Sequence, residues 1–165
     1  MKKISFGMKD EDLRFYMYKI IQCLEYSHSH QIIHRDIKPG NIVINQKTKE
    51  LRVIDWGLAE YYVKGFKYNV RVSSRYYKAP ELLLNYMEYD YAIDMWSLGC
   101  LFAGVLFQRD YFFKGDDLFD QLVRISKVLG SEGIEEFIKK YPGSSIDEKT
   151  KEKIQKYIFI ILIYL

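Results

Sequence analysis

The 165-residue sequence predicts a mainly α-helical domain interrupted by one short β-hairpin. Three stretches carry that expectation. Residues 10–29 place Leu13, Met17, Ile20, Ile21 and Leu24 at helical spacing. Residues 91–107 are apolar nearly all round, as a helix buried in the middle of a domain must be. Between them, Ile42-Val43-Ile44 and Leu51-Arg52-Val53-Ile54 are short apolar or β-branched runs separated by the polar turn Asn45 to Glu50, which suits a hairpin.

Each further element has a local signal. The first helix opens on Asp10, Glu11 and Asp12, at the positive end of its dipole. His28 and His30 near its end lack an accompanying thiolate or acid cluster, so they read as helix-end histidines rather than metal ligands. Residues 58–69 are aromatic and mixed in charge without periodicity, and read as a loop. Asp94, in the apolar run 91–107, needs a partner; backbone N–H groups around residue 36 would satisfy it and hold Asp36 in place. Asp116 or Asp117 caps a helix that ends at Gly130, and Ser131 starts a shorter one ending near Tyr141-Pro142-Gly143. Ser145-Ile146-Asp147-Glu148 reads as a capping box opening a charged helix. That helix runs into the tail Tyr157 to Leu165, whose high β-propensity and lack of charge mark a segment that aggregates unless covered. A partner surface and translation past an exon boundary both fit the tail.

Composition bounds the function. A hydrophobic content of 48% with 16% aromatic residues belongs to a globular chain with a real core. A net charge of +3, with both signs mixed along the chain, is too mild to indicate nucleic acid. The apolar tail is too short for the roughly twenty residues of a membrane span, so no membrane is expected, and no leader is visible after Met1. Cys23 and Cys100 each sit in a helical pattern and read as reduced thiols, which suits an intracellular protein.

The chemistry is concentrated between Ile33 and Gly57. Here I-H-R-D-I-K-P-G-N-I-V-I is followed, after the polar turn, by L-R-V-I-D-W-G. The first half fits H-R-D-x-x-x-x-N and the second resembles D-F-G, the linked motifs of the catalytic and metal-binding loops of protein kinases. One motif alone also fits a buried ion-pair cluster; two at this spacing favour the catalytic reading. Phosphoryl transfer needs a carboxylate beside the attacking hydroxyl, and metal ligands for the phosphates. Asp36 is placed to orient the hydroxyl and accept its proton. Lys38 would put its ammonium on the transferring phosphate, Asn41 offers a neutral oxygen to Mg²⁺, and Asp55 supplies the anionic metal ligand. Val43 and Ile54 best fit an apolar floor beneath an adenine ring. Further on, Ala79-Pro80-Glu81 fits the A-P-E that closes a kinase activation segment.

With D-W-G-L-A-E, Y-N-V-R-V-S-S-R-Y-Y-K-A-P-E, D-M-W-S-L-G-C and Y-F-F-K-G-D-D-L-F-D-Q-L-V-R-I-S-K-V-L-G added, residues 10–141 resemble the casein kinase II catalytic (alpha) subunit. Trp56 is the sharpest mark, because this family carries D-W-G where most kinases carry D-F-G. Its indole N–H can donate a hydrogen bond that helps fix the loop. Ala79 and Gly40 depart from the glycine and histidine usual there.

The resemblance implies the C-terminal lobe of the protein kinase-like α+β fold, with a partial kinase domain over 1–143 and a divergent helical tail over 144–165. It implies a serine/threonine kinase using ATP or GTP with Mg²⁺, with Asp36, Lys38, Asn41 and Asp55 at the catalytic and nucleotide-binding positions. No glycine-rich loop, phosphate-pairing lysine or partner glutamate precedes Asp10, so the N-lobe is expected to be absent and the isolated chain inactive. The regulatory beta subunit of that family binds mainly the N-lobe. Glu81 is expected to lack the arginine that the family's last helices provide. An inactive lobe acting as a binding module, or a truncated gene product, stand as alternatives.

Arg71, Arg75 and Lys78 lie just before Ala79-Pro80-Glu81, where a kinase holds the residues next to the phosphoacceptor. This local positive patch would attract acidic Ser/Thr protein substrates, and the resemblance implies the same. A solvated face, or pairing with a phosphate in the activation segment, are the other readings.

Overall fold

The computed structural model describes the backbone of residues 2–3 and the whole of residues 8–154. The chain forms β1 (Lys2–Lys3), α1 (Asp10–Ser29), β2 (Ile32–Ile33), β3 (Ile42–Asn45), β4 (Glu50–Val53) and β5 (Glu60–Tyr61). Then follow α2 (Pro80–Leu83), α3 (Ala92–Leu106), α4 (Leu118–Leu129) and α5 (Glu132–Lys140). Residues 148–154 are again helical. The expected tail segment Tyr157 to Leu165 lies outside the described residues.

The long helices stand where the apolar spacing puts them. In α1, Leu13, Tyr16, Ile20 and Leu24 form the buried stripe. Ile21 is exposed, because at 3.6 residues per turn it falls on the flank of that stripe, and Tyr16 takes the core position instead. Asp117 caps α4 by accepting the Asp120 N–H at 2.7 Å, and Gly130 ends it at φ 83°, a conformation that favours glycine. Ser131 precedes α5, but its side chain makes no capping bond. The cap of the 148–154 helix is Asp147, which accepts the Thr150 N–H at 2.9 Å, and not Ser145. Ser145 instead donates its N–H to the Leu84 carbonyl at 2.8 Å.

The hairpin forms as expected, with β3 and β4 antiparallel in the register Ile42↔Val53 to Asn45↔Glu50, and β1 pairing on the free edge of β3. Ile42 and Ile44 point into the core. A second, two-stranded sheet pairs Ile32↔Tyr61 and Ile33↔Glu60, so the expected loop over 58–69 contains a short strand. Strands of two residues have no period for a sequence reading to detect.

Among the described residues two apolar clusters result. The larger joins α1, the hairpin, α3, α4 and α5, and takes in Ile154. The smaller gathers Ile33, Tyr68, Val72, Ala79, Leu82, Tyr89 and Ile93 beneath the 68–82 segment. Trp96 packs against both clusters, so the loop carrying Asp36 is suspended between two packed bodies.

Candidate active site

The segment from Ile33 to Asn41 is positioned by one carboxylate. Asp94, fully buried in the first turn of α3, accepts the His34 N–H and the Arg35 N–H, each at 2.8 Å. His28 Nε2 adds a third bond at 2.9 Å. Asp94 can only accept, so His28 must carry a proton on Nε2. The expected backbone partners of Asp94 are therefore present, and His28, expected only as a helix-end histidine, is a further one.

Arg35 takes a left-handed backbone, φ 65°, which turns its side chain toward the 58–69 segment. Its guanidinium donates to the Leu58 carbonyl at 2.6 Å and to the Tyr89 hydroxyl at 3.2 Å, and lies 3.6 Å from the half-exposed Glu60 carboxylate. His34 Nδ1 accepts the Asp36 N–H at 3.2 Å, which leaves Nε2 to donate to the Ile54 carbonyl at 3.3 Å. Burial lowers the pKa of His34 below its ordinary value, and both bonds suit the neutral ring.

Asp36 is almost completely buried, and both its oxygens are engaged. Lys38 Nζ donates to Oδ2 at 2.6 Å and Asn41 Nδ2 to the same oxygen at 3.0 Å. The Ser74 hydroxyl donates to Oδ1 at 3.1 Å and itself accepts from Lys38 at 3.0 Å. Asn41 Nδ2 also bonds the Asp36 carbonyl at 2.8 Å. Both partners of that nitrogen are acceptors, which fixes the amide orientation and leaves Oδ1 turned away from Asp36. Ser74 was not found by sequence reasoning: an isolated serine far along the chain from Asp36 carries no local signal.

Asp55 follows β4 at φ 63° and is exposed; its carboxylate makes no hydrogen bond among the described residues. The Ile54 N–H bonds the Asn41 carbonyl at 2.9 Å, and this clamps the two loops together. Trp56 donates its indole N–H to the Val53 carbonyl at 3.1 Å and sets its ring edge-on to His34, 4.5 Å between centroids. Val43 lies on the outer face of the hairpin, in register with Arg52, and Ile54 is exposed.

The three expected substrate-reading cations are not brought together. Arg71 is exposed. Arg75 donates to the carbonyls of Asp116 and Gly115 and lies over the Tyr76 ring. Lys78 is buried, with its ammonium on the carbonyls of Val70 and Val72, and burial lowers its pKa to about 8. The short turn Arg75–Tyr77 rotates Lys78 inward, so it braces the segment from within and cannot meet a substrate at the surface. Glu81 has no ion pair among the described residues, and burial raises its pKa.

Residues 1–159 match the protein kinase domain family. The chain belongs to that family. A probable serine/threonine-protein kinase of Dictyostelium discoideum is 51% identical over 150 residues, which cover 91% of this chain and 25% of that protein. The chain thus spans about a quarter of the length of this curated relative.

Kinase domains generally work with ATP and Mg²⁺. Among the described residues no group of three or more His, Cys, Asp or Glu is assembled to hold a metal. The available donors are the Asn41 amide oxygen and the Asp55 carboxylate, on clamped neighbouring turns. Both are hard oxygens, as Mg²⁺ requires, and two protein ligands are enough where nucleotide phosphates and water complete the set. The residues fit the group.

Proposed function

We propose that this chain carries the catalytic and metal-binding loops of a serine/threonine protein kinase, which moves the γ-phosphate of ATP or GTP to serine or threonine in acidic sequences. The observation that carries the reading is the Asp36 carboxylate, immobilised by Lys38, Asn41 and Ser74 within one hydrogen-bonded cluster. The Ser74 hydroxyl donates to Oδ1, the kind of bond a substrate hydroxyl would make with this carboxylate. A substrate hydroxyl arriving beside it would be aligned by Asp36 and lose its proton there. Lys38, already beside Asp36, would carry positive charge to the phosphoryl oxygens.

Asn41 and Asp55 would hold Mg²⁺, which when bound neutralises phosphate charge. Val43 and Ile54 would meet the base on the outer face of the hairpin. The motif resemblance, with the indole bond of Trp56 behind it, supports a casein kinase II alpha-like enzyme. Arg71 remains exposed to favour acidic substrates, while Arg75, held by two backbone carbonyls, and Lys78, turned inward, are withdrawn from that role. In the same reading a regulatory beta subunit would contact the nucleotide-binding lobe, outside these residues. Intracellular placement agrees with the free thiols of Cys23 and Cys100. Among the described residues no helix is long and apolar enough to cross a membrane.

The test joins the chain to the nucleotide-binding lobe of a casein kinase II catalytic subunit and follows ³²P transfer from labelled ATP to an acidic serine peptide. Transfer is expected from the joined protein and not from the 165-residue chain alone. Asp36→Asn should cut kcat by about 10²–10⁴, the range of general-base catalysis. A joined protein with native helix content and no transfer would overturn the proposal.

A further inference from the structure

Two depressions lie side by side, the first of them lined by Lys38. The first, of 530 Å³, runs from Lys38 and Ser74 past Arg75 to Arg109. The second, of 520 Å³, runs from Arg109 to Lys114 and the α4 side chains Arg124 and Lys127. Arg109, Asp110 and Tyr111 line both, so only that short segment separates them.

We propose that the two depressions act as one docking trough for an extended acidic segment of the protein substrate, with Arg109 and Lys114 meeting its carboxylates. The inference rests on the kinase reading above and adds to it a second acid-reading surface, away from Arg71. Position is the first argument. The trough begins at Lys38 and Ser74, both bonded to Asp36, so a polypeptide presenting a hydroxyl to Asp36 can leave the site across it.

Charge is the second argument. Six cations line the two depressions against the single carboxylate Asp110. Lys38 is engaged by Asp36, Arg75 by two backbone carbonyls, Arg124 by Asp120 at 3.1 Å, and Lys127 by the charge of the same Asp120. Arg109 and Lys114 are exposed, and their side chains have no ion pair or hydrogen bond among the described residues. They are the cations available to a ligand.

Rigidity is the third argument. Gln121, fully buried, accepts the Gly115 N–H at 2.8 Å and donates to the Phe113 carbonyl at 3.2 Å. A Cβ at Gly115 would lie 2.4 Å from the Gln121 nitrogen, so only glycine lets the loop close on α4. On the other side, the Arg109 N–H bonds the Gly104 carbonyl at 2.8 Å. Arg109 and Lys114 therefore project from a backbone already fixed, which lowers the ordering cost of binding. Asp116 and Asp120, which pair with the lining residue Arg124, would repel a uniformly charged phosphodiester chain. A peptide, whose carboxylates can be spaced, avoids them.

The test is fluorescence anisotropy of the full chain with a short labelled serine peptide rich in Asp and Glu, compared with its Asn and Gln counterpart. The acidic peptide should bind about tenfold more tightly, with a preference that falls as salt rises. R109E/K114E should abolish the preference and leave the neutral peptide unaffected. The milder R109Q/K114Q should reduce it several-fold, and K139E on exposed α5 should leave it intact. Circular dichroism establishes that each variant is folded.

Equal binding of the two peptides overturns the trough. So does full acidic preference in folded R109E/K114E, or an oligonucleotide of equal charge that outcompetes the acidic peptide. Binding needs no phosphate transfer, so the two proposals fail separately. Acidic preference in the chain with no transfer by the joined kinase faults the kinase reading alone. Transfer by the joined kinase that R109E/K114E leaves unchanged toward acidic peptides faults the trough alone.

Discussion

Asp36 and Asp55 flank one hairpin, one before it and one after it in the chain, and the structure treats the two carboxylates oppositely. Asp36 is buried and bonded on both oxygens, and its loop hangs from Asp94. Asp55 is exposed, on a left-handed backbone, with no bond to its carboxylate among the described residues. The difference agrees with the roles proposed for the two. A general base is useful only if it is already aimed, so the protein spends hydrogen bonds on holding it. A metal ligand must stay open to a partner that arrives with the nucleotide. Preorganisation therefore stops at Asn41, whose nitrogen belongs to Asp36 and whose oxygen is left over.

The strongest way to break this contrast is to remove the support beneath Asp36. Asp94→Ala would leave two buried N–H groups and His28 without an acceptor, at a cost of about 3 kcal/mol or more in urea unfolding. Asp94→Asn keeps one acceptor oxygen and should lose less. Hydrogen exchange at the His34 and Arg35 amides should speed up in both variants. Unchanged protection there would mean that the loop is held by something other than Asp94.

Next in size is the direct comparison of the two carboxylates. Asp36→Asn should lower stability by about 1–2 kcal/mol, since the bonds from Lys38, Ser74 and Asn41 lose the charge that strengthens them. Asp55→Asn should stay within about 0.5 kcal/mol of the parent chain, because nothing in the described fold leans on that side chain. Equal losses from the two would erase the distinction between a held and an open carboxylate.

How much of this was legible beforehand depends on whether the signal was local. Two motifs with a hairpin between them placed Asp36, Asn41 and Asp55. Asp94 was legible because a carboxylate in an apolar helix demands donors, and the loop had them. Ser74 was not, since nothing near it in sequence shows that it returns to Asp36. Lys78 was misjudged for a related reason. Three nearby cations look like a patch, but the direction of each side chain is set by the turn at Arg75–Tyr77 and by which carbonyls need a donor. The strand β5 was missed because its pairing to β2 is the only feature that makes it a strand.

Lys78 supplies the third prediction, which sharpens the contrast between cations that brace and cations that face solvent. In the joined kinase, Lys78→Met should lower kcat/KM for acidic and neutral serine peptides by the same factor, about threefold to tenfold, through a loosened 70–72 segment. A loss confined to the acidic peptide would return Lys78 to substrate recognition.

Glu81 gives the smallest effect and tests the contrast at its midpoint, being half-buried, between Asp36 and Asp55, and without an ion pair like Asp55 among the described residues. Burial raises its pKa above the ordinary 4.5, and Asp90 pushes the same way. The folded chain therefore holds this proton more tightly than the unfolded chain does. Above the raised pKa the fold carries the whole cost of the buried charge. As pH falls through it the carboxyl protonates and the cost shrinks; once the pH is below 4.5, both states are neutral and nothing remains of it. Glu81→Gln should thus stabilise the chain by about 1 kcal/mol at pH 8, in a gain that fades toward pH 4. Urea midpoints of the two proteins across that range measure it. A gain that persists at pH 4 would come from the shape of the side chain, and a loss at pH 8 would show that the carboxylate has found a cation after all.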